Sequence, residues 1–313
     1  MSMAEQKAKI LVVGSFMMDL VVRTPRVPEN GETIIGTSFN RFPGGKGANQ
    51  AVAAARLGGA VTMAGKVGSD DFGDEFLSVL ASEGINTAYI LRDSQAATGV
   101  GFITLDHAGN NRIVVVPGAN LRYSVQDLAQ IESLIKDSDI LIMQLEMDMS
   151  VIEHAVELAG RYQVPVILNP APARALNDEL LRGVTYLTPN ETEAEILTGV
   201  KVTSIDRAKE AAEALLEKGV KTVVLTLAEK GALVASNAGA THVSGFSVQP
   251  VDTVAAGDAF NGAFAVAISK GKSLVEACRF ANAVGAIAVT RPGAIPSLPS
   301  AAEVERFLAG QTS

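Results

Sequence analysis

Asp258 ends the string Thr253-Val254-Ala255-Ala256-Gly257-Asp258, where small residues run into a long apolar segment. An acid at the junction of a turn and a helix can accept a hydroxyl proton. The unpaired amides beside it can hold an anion, and residues without bulk let a phosphate come close. Together these are parts for moving a phosphoryl group onto a hydroxyl. The same string also reads as an ordinary helix start with Asp258 as its N-cap.

A second cluster is Pro43-Gly44-Gly45-Lys46-Gly47-Ala48-Asn49-Gln50. It is not a Walker A loop, because Gly47 follows Lys46 where Ser or Thr is required. Glycines before a helix, with Lys46 and Asn49, suit a small polar ligand; a tight strand-to-helix turn reads equally well. Gly14-Ser15-Phe16-Met17-Met18-Asp19 lacks the second glycine of a dinucleotide fingerprint. Asn190 and Glu193 have capping-box spacing, and their oxygens could also organise a Mg²⁺-phosphate complex. Thr226-Leu227-Ala228-Glu229-Lys230-Gly231 follows a strand and could wall a nucleotide site or simply turn.

These pieces need a frame. Apolar runs at 9–13, 61–67, 140–144, 164–168 and 222–226 read as strands. Helical patterns lie between and after them at 47–57, 72–83, 151–162, 208–218, 259–269 and 274–289. Such alternation predicts an α/β fold with a mostly parallel sheet covered on both faces. Residues 20–42 and 99–116 break the alternation, the second as a hairpin around Ala108-Gly109-Asn110-Asn111. Two such insertions can pair into a small sheet, which must cover a site or meet another subunit.

The chain has 313 residues, 48% of them hydrophobic, and a formal net charge of -8. That composition fits a large core, and the acidity argues against tracking nucleic acid. Cys278 is the single cysteine, so no internal disulfide or cysteine zinc site can form. The three histidines, His107, His154 and His242, are scattered, which disfavours a metal site or catalytic triad. The polar N-terminus and the lack of a spanning apolar stretch point to the cytoplasm.

In this order, the strings resemble the ribokinase-like (PfkB) carbohydrate kinases from Gly14 to Ser297. Met143-Gln144-Leu145-Glu146, Asn169-Pro170-Ala171-Pro172-Ala173 and Pro189-Asn190-Glu191-Thr192-Glu193 extend the resemblance. It implies a single kinase domain over 1–313, a three-layer α/β/α fold with a mostly parallel central sheet, and a small β-sheet lid inserted at about 20–43 and 99–116. It implies transfer of phosphate from ATP to the 5-hydroxyl of a pentose, D-ribose first and 2-deoxy-D-ribose as the alternative. A non-catalytic sugar-binding module on the same fold is a further alternative.

The resemblance also implies roles. Asp19, Gly45, Lys46, Asn49 and Glu146 would line the sugar site, and Asp258 would be the base. Amides of Ala255, Ala256 and Gly257 would stabilise the transferring phosphoryl group. Asn190, Thr226, Ala228 and Gly231 would contact ATP, Glu193 would order Mg²⁺, and Asn282 would lie beside the adenine. Asp252, Val254, Ala288, Arg291, Gly293 and Ser297 match a potassium site, several through backbone carbonyls. A homodimer through the lid is implied as well. Two positions depart from the pattern. Met17 stands where many members have Asn, and an apolar group there suits a 2-deoxy sugar. Ala228 stands where a glycine is common.

Overall fold

Ile10, Leu11, Val12 and Val13 are all buried, so their strand has protein on both faces. The computed structural model describes residues 7–311. In chain order the strands are β1 (Lys9–Val13), β2 (Met17–Thr24), β3 (Ser38–Gly44), β4 (Ala60–Gly68), β5 (Asn86–Asp93), β6 (Gly99–Asp106) and β7 (Asn111–Val116). They continue with β8 (Ile140–Gln144), β9 (Val166–Asn169), β10 (Tyr186–Leu187), β11 (Thr222–Thr226), β12 (Gly231–Ser236) and β13 (Gly239–Ser244).

Nine strands form one sheet in the order β13-β12-β11-β10-β9-β8-β1-β4-β5. Pairing is parallel from β11 to β5, and β12 and β13 add an antiparallel edge. Period-two alternation divides its side chains between two cores. Ile10, Val12, Ile140, Ile142 and Ile167 enter one, with the helices Lys46–Arg56, Ala256–Ser269 and Leu274–Ala288. Leu11, Val13, Leu141, Met143 and Leu168 enter the other, with Met149–Arg161 and Ile205–Glu217. The result is the expected three-layer α/β/α arrangement. The chain leaves β1 toward β4 on one side and returns to β8 on the other. The C-terminal ends of β1 and β8 therefore flank a topological switch point, the place where such sheets bind ligands.

The second sheet has the order β3-β2-β6-β7. Its β6–β7 hairpin turns through 107–110, one residue before the expected 108–111. Its first strand begins at Met17, three residues earlier than the expected insertion at 20, so Met17 and Asp19 are strand residues of this sheet. Two other boundaries move. The strand expected at 164–168 is Val166–Asn169, because the amide of Val164 closes the preceding helix on the carbonyl of Ala159. The helix expected at 259–269 begins at Ala256. Its N-cap is Ala255, in the left-handed region at φ 60°, so Asp258 lies inside the first turn and is not the N-cap. The Glu191–Thr198 helix follows Asn190 as its capping-box spacing allowed, whereas the β12–β13 hairpin was not expected.

Candidate active site

The glycine string works first as architecture. Gly45 has φ 87°, and a Cβ there would stand 2.6 Å from the backbone nitrogen of Met17. A Cβ on Gly47 would stand 2.4 Å from that of Ser15. Only glycine lets the Lys46–Arg56 helix start against the β1–β2 turn. That contact places Lys46 and Asn49 beside the switch point.

Glu146, just past β8, is held from two elements. The Ser15 hydroxyl donates to its Oε2 at 2.5 Å, and the amide of Lys46 donates to the same oxygen at 3.0 Å. Met17 and Asp19, two apart on β2, share a face of the small sheet. A Cβ on Gly101 would stand 2.7 Å from Asp19 Oδ1 and 3.8 Å from Met17 Cγ, and one on Gly44 would stand 3.1 Å from Asp19 Oδ2. Two glycines thus make room for the Asp19 carboxylate.

Asp258 is 6% exposed and both its oxygens are engaged. Asn49 Nδ2 donates to Oδ2 at 2.9 Å, and Gln50 Nε2 donates to Oδ1 at 2.9 Å. A carboxylate has about four acceptor positions, so capacity remains for a hydroxyl. Asn49 Oδ1 is buried without a hydrogen-bond partner, an acceptor waiting for a donor. Gly257 beside it is exposed, and Ala255 and Ala256 are half-buried. The Ala256 amide makes a long 3.3 Å bond to Thr253, leaving the helix start weakly engaged.

The charges form one system. Burial, reinforced by Glu146 and then Asp258, pushes the Asp19 carboxyl up to about 7. Burial alone would lower the Lys46 ammonium, but Asp258, Glu146 and Glu193 outweigh it and raise the group above its ordinary value. Lys46 therefore stays a cation in the field of the carboxylates of Asp258, Glu146 and Glu193. Burial raises the Glu193 carboxyl, opposed by the Asn190 amide and Lys46 and aided by Asp258.

At the start of the Glu191–Thr198 helix, Asn190 and Glu193 form a complete capping box. The Glu193 amide donates to Asn190 Oδ1 at 2.8 Å, and the Asn190 amide donates to Glu193 Oε2 at 2.8 Å. The capping reading of this pair is thus realised, and it fixes both side chains in place. Asn190 bridges to Thr226, which brings the β11 loop beside it. Ala228 has φ 49°, a left-handed conformation that explains why glycine is common there. Gly231 has φ 97°, and a Cβ would stand 2.2 Å from the carbonyl oxygen of Val243. Asn282 donates to the carbonyls of Val243 and Ser244 at 3.1 and 3.2 Å, bracing the end of β13.

The cation-site candidates are only partly gathered by direct bonds. Asp252 Oδ2 accepts from the amide of Gly293 at 2.9 Å, and Oδ1 from that of Val254 at 3.0 Å. The Arg291 amide donates to the Ala288 carbonyl at 3.1 Å, while its guanidinium turns away to Glu303 at 2.6 Å. Ser297 Oγ donates to the carbonyl of Ala294 at 2.8 Å, which keeps its lone pairs free. Cys278 is buried and its thiol is pushed up to about 12 by burial, as a packing residue should be.

Sequence reasoning gave no role to Ser15, Gln50, Gln144, Asn169, Thr188 or Asn261. All are fully or nearly buried polar residues around the site. Gln144 ends an otherwise apolar strand, and a polar group in such a place signals a buried network.

Residues 7–301 match the family described as pfkB family carbohydrate kinase. A ribokinase of Haemophilus influenzae is 45% identical over 299 residues, covering 96% of this chain and 98% of that protein. A deoxyribokinase of Salmonella typhi is 38% identical over 300 residues, covering 96% and 98%. The structure of Arabidopsis thaliana ribokinase complexed with ribose and ATP superimposes with a TM-score of 0.91 at 32% identity, covering 97% of this chain and 99% of that one. With the carboxylate cluster at the switch point, the small second sheet and these relationships over almost the entire length, the chain belongs to the pfkB family of carbohydrate kinases.

Proposed function

We propose that the chain transfers the γ-phosphoryl group of ATP to the 5-hydroxyl of D-ribose, giving D-ribose 5-phosphate and ADP. One observation carries the chemistry: Asp258 is a buried carboxylate held on both oxygens, in the first turn of a helix whose start is open and free of bulk. The similarity to a ribokinase at 45% identity and to a structure with ribose and ATP supports the choice of substrates.

In this reading Asp19, Asn49 and Glu146 hold the sugar. Asn49 Oδ1 supplies the missing acceptor for a ring hydroxyl. Asp258 takes the proton of the attacking hydroxyl, while the amides of Ala255, Ala256 and Gly257 face the charge that develops on the transferring group. Lys46 adds a fixed positive charge between sugar and nucleotide. Asn190, Thr226, Ala228 and Gly231 line the nucleotide side, with Asn282 at the adenine end. The lid keeps water from competing for the phosphoryl group.

The residues fit Mg²⁺. Glu193 is one buried carboxylate beside the nucleotide loop, and Mg²⁺ takes one or two carboxylates together with phosphates and its own waters. When bound with the triphosphate it supplies charge neutralisation at the phosphates. They also fit K⁺: Asp252 ties the 251–254 loop to the 288–293 turn, so that carbonyls such as those of Val254 and Ala288 can serve as ligands beside the anion hole. A homodimer through the small sheet would cover the apolar residues that β7 exposes.

The second reading, 2-deoxy-D-ribose 5-kinase, is favoured by Met17. This residue is 5% exposed and lies beside Asp19 on the sugar-facing side of β2, where it offers an apolar surface. Comparison of kcat/KM for ribose and 2-deoxyribose separates the two. A higher value for 2-deoxyribose would overturn ribose as substrate. Met17→Asn is expected to shift the ratio toward ribose by about tenfold, the scale of one polar contact.

A further inference from the structure

Gln50 is completely buried, sits beside the sugar-site residue Asn49, and touches the proposed base. We propose that it is the positioning residue for Asp258, and the inference rests on the kinase reading above. Its side chain has a full set of partners. Nε2 donates one hydrogen to Asp258 Oδ1 at 2.9 Å and the other to Asn169 Oδ1 at 3.1 Å. Its Oε1 accepts from Gln144 Nε2 at 2.8 Å.

The orientation of Gln50 is determined by Asp258 and Asn169. Asn169 Nδ2 donates to the carbonyl of Thr188 at 3.2 Å, so Asn169 must turn its oxygen toward Gln50. The Asp258 carboxylate can only accept, so Gln50 must turn Nε2 to it and Oε1 to Gln144, whose Nε2 then donates. A second branch returns to the same helix: Thr188 Oγ1 donates to Asn261 Oδ1 at 2.6 Å, and Asn261 Nδ2 donates to the carbonyl of Gly257 at 2.8 Å. The network is anchored in β8, at the end of β9 and in the residue before Pro189. It reaches both the carboxylate of Asp258 and the backbone of Gly257.

The consequence is geometric. Asn49 alone would hold Asp258 by one oxygen and leave the carboxylate free to rotate about its last bond. A donor on the second oxygen fixes its plane. Asn49 is also a sugar ligand, so its position depends on the substrate. Gln50 reaches no solvent and has no path to the sugar, which makes it the fixed half of the pair. A displacement of about 1 Å in a reacting group costs on the order of a hundredfold in rate.

The test compares Gln50→Leu and Gln50→Met with wild type in the full-length protein, using D-ribose and ATP with ADP release as the readout. Both variants remove the donor to Asp258 without adding a charge beside it, and Gln50→Met keeps the length of the side chain. Expected is a loss of about 10- to 100-fold in kcat with both KM values within about threefold of wild type. In an Asp258→Ala background, Gln50→Met is expected to cost nothing further, because its effect passes through that carboxylate. A purely structural residue would instead lower the melting temperature while kcat stayed within about twofold, and that result in Gln50→Met overturns the inference. Should Gln50→Leu not fold, Gln50→Met alone decides between the two roles. Wild type active with both variants unimpaired sinks only this inference, whereas wild type inactive on every pentose sinks the proposed function and this inference with it.

Discussion

Asp19 has a carboxyl pushed from its ordinary 3.8 to about 7 by burial and by the like charges of Glu146 and Asp258. Between those two values the folded chain holds a proton that the unfolded chain has lost. Stability from this group is therefore full below about 4 and declines as pH rises toward 7. Asp19→Asn is expected to raise the melting temperature at pH 8 by a few degrees and to change it little at pH 5, while pentose binding is lost. Thermal melts of both proteins at the two pH values check this; equal shifts at both would contradict it. Asp19 would then be a charge kept for binding at a cost in stability. Asp258, Asn49 and Glu146 were legible in sequence because each sits in a recognisable string with small or polar neighbours. Gln50, Gln144 and Asn169 stand in the same strings, yet no role could be read for them. A polar residue in an apolar segment announces that it must be paired, but its partner lies about a hundred positions away and only the fold names it.

At the scale of elements, one side chain ties the sugar-side helix to the loop that carries Gly293 and Ser297. Arg56 donates to the carbonyls of Ile295 and Leu298 at 2.9 and 2.6 Å, and pairs with Glu83 through Nε and Nη2 at 2.9 and 2.5 Å. Arg56→Leu leaves those carbonyls and Glu83 without their donor. The expected cost is about 2 kcal/mol, read from denaturant unfolding. A weaker dependence of activity on potassium is expected with it, because the loop loses its brace. Ala228 works in the opposite sense. Its φ of 49° is one that a Cβ resists, so Ala228→Gly is expected to stabilise the protein by about 1 kcal/mol with ATP binding retained. The helix and strand pattern was readable because each buried strand is a continuous apolar run and each helix has a 3.6-residue stripe. Boundaries were less readable. Asp258 looked like an N-cap because aspartate so often is one, but Ala255 accepts a left-handed turn and lets the helix begin two residues before Asp258. β10 has only two residues, too short to show a period.

Across the whole molecule, the two sheets divide the work. The large one is closed by helices on both faces, whereas the small one joins the main core through Met18, Leu20 and Val100. Farther out, Ile113, Val114, Val115 and Val116 are each more than half exposed, and β7 has a free edge. An apolar edge strand of this kind invites pairing. The double substitution Ile113→Glu/Val114→Glu charges both faces of β7 and is expected to convert a dimer to a monomer in sedimentation. An unchanged mass would remove the lid as the interface. The existence of this second sheet was readable from two stretches rich in β-formers with no helix between their strands. Its start at Met17 was not, because Met17 and Met18 look like any core residues until β3 and β6 are seen to pair with them.

Asp258 is where the helix after the glycine string and the buried amide network meet. ADP release with D-ribose, ATP, Mg²⁺ and K⁺, measured for wild type and Asp258→Ala, tests that assignment most directly. Wild type is expected to turn over, and the variant to lose about 10³-fold or more in kcat with its fold intact by circular dichroism. A folded Asp258→Ala protein within about tenfold of wild type would contradict the assignment of Asp258 as the base.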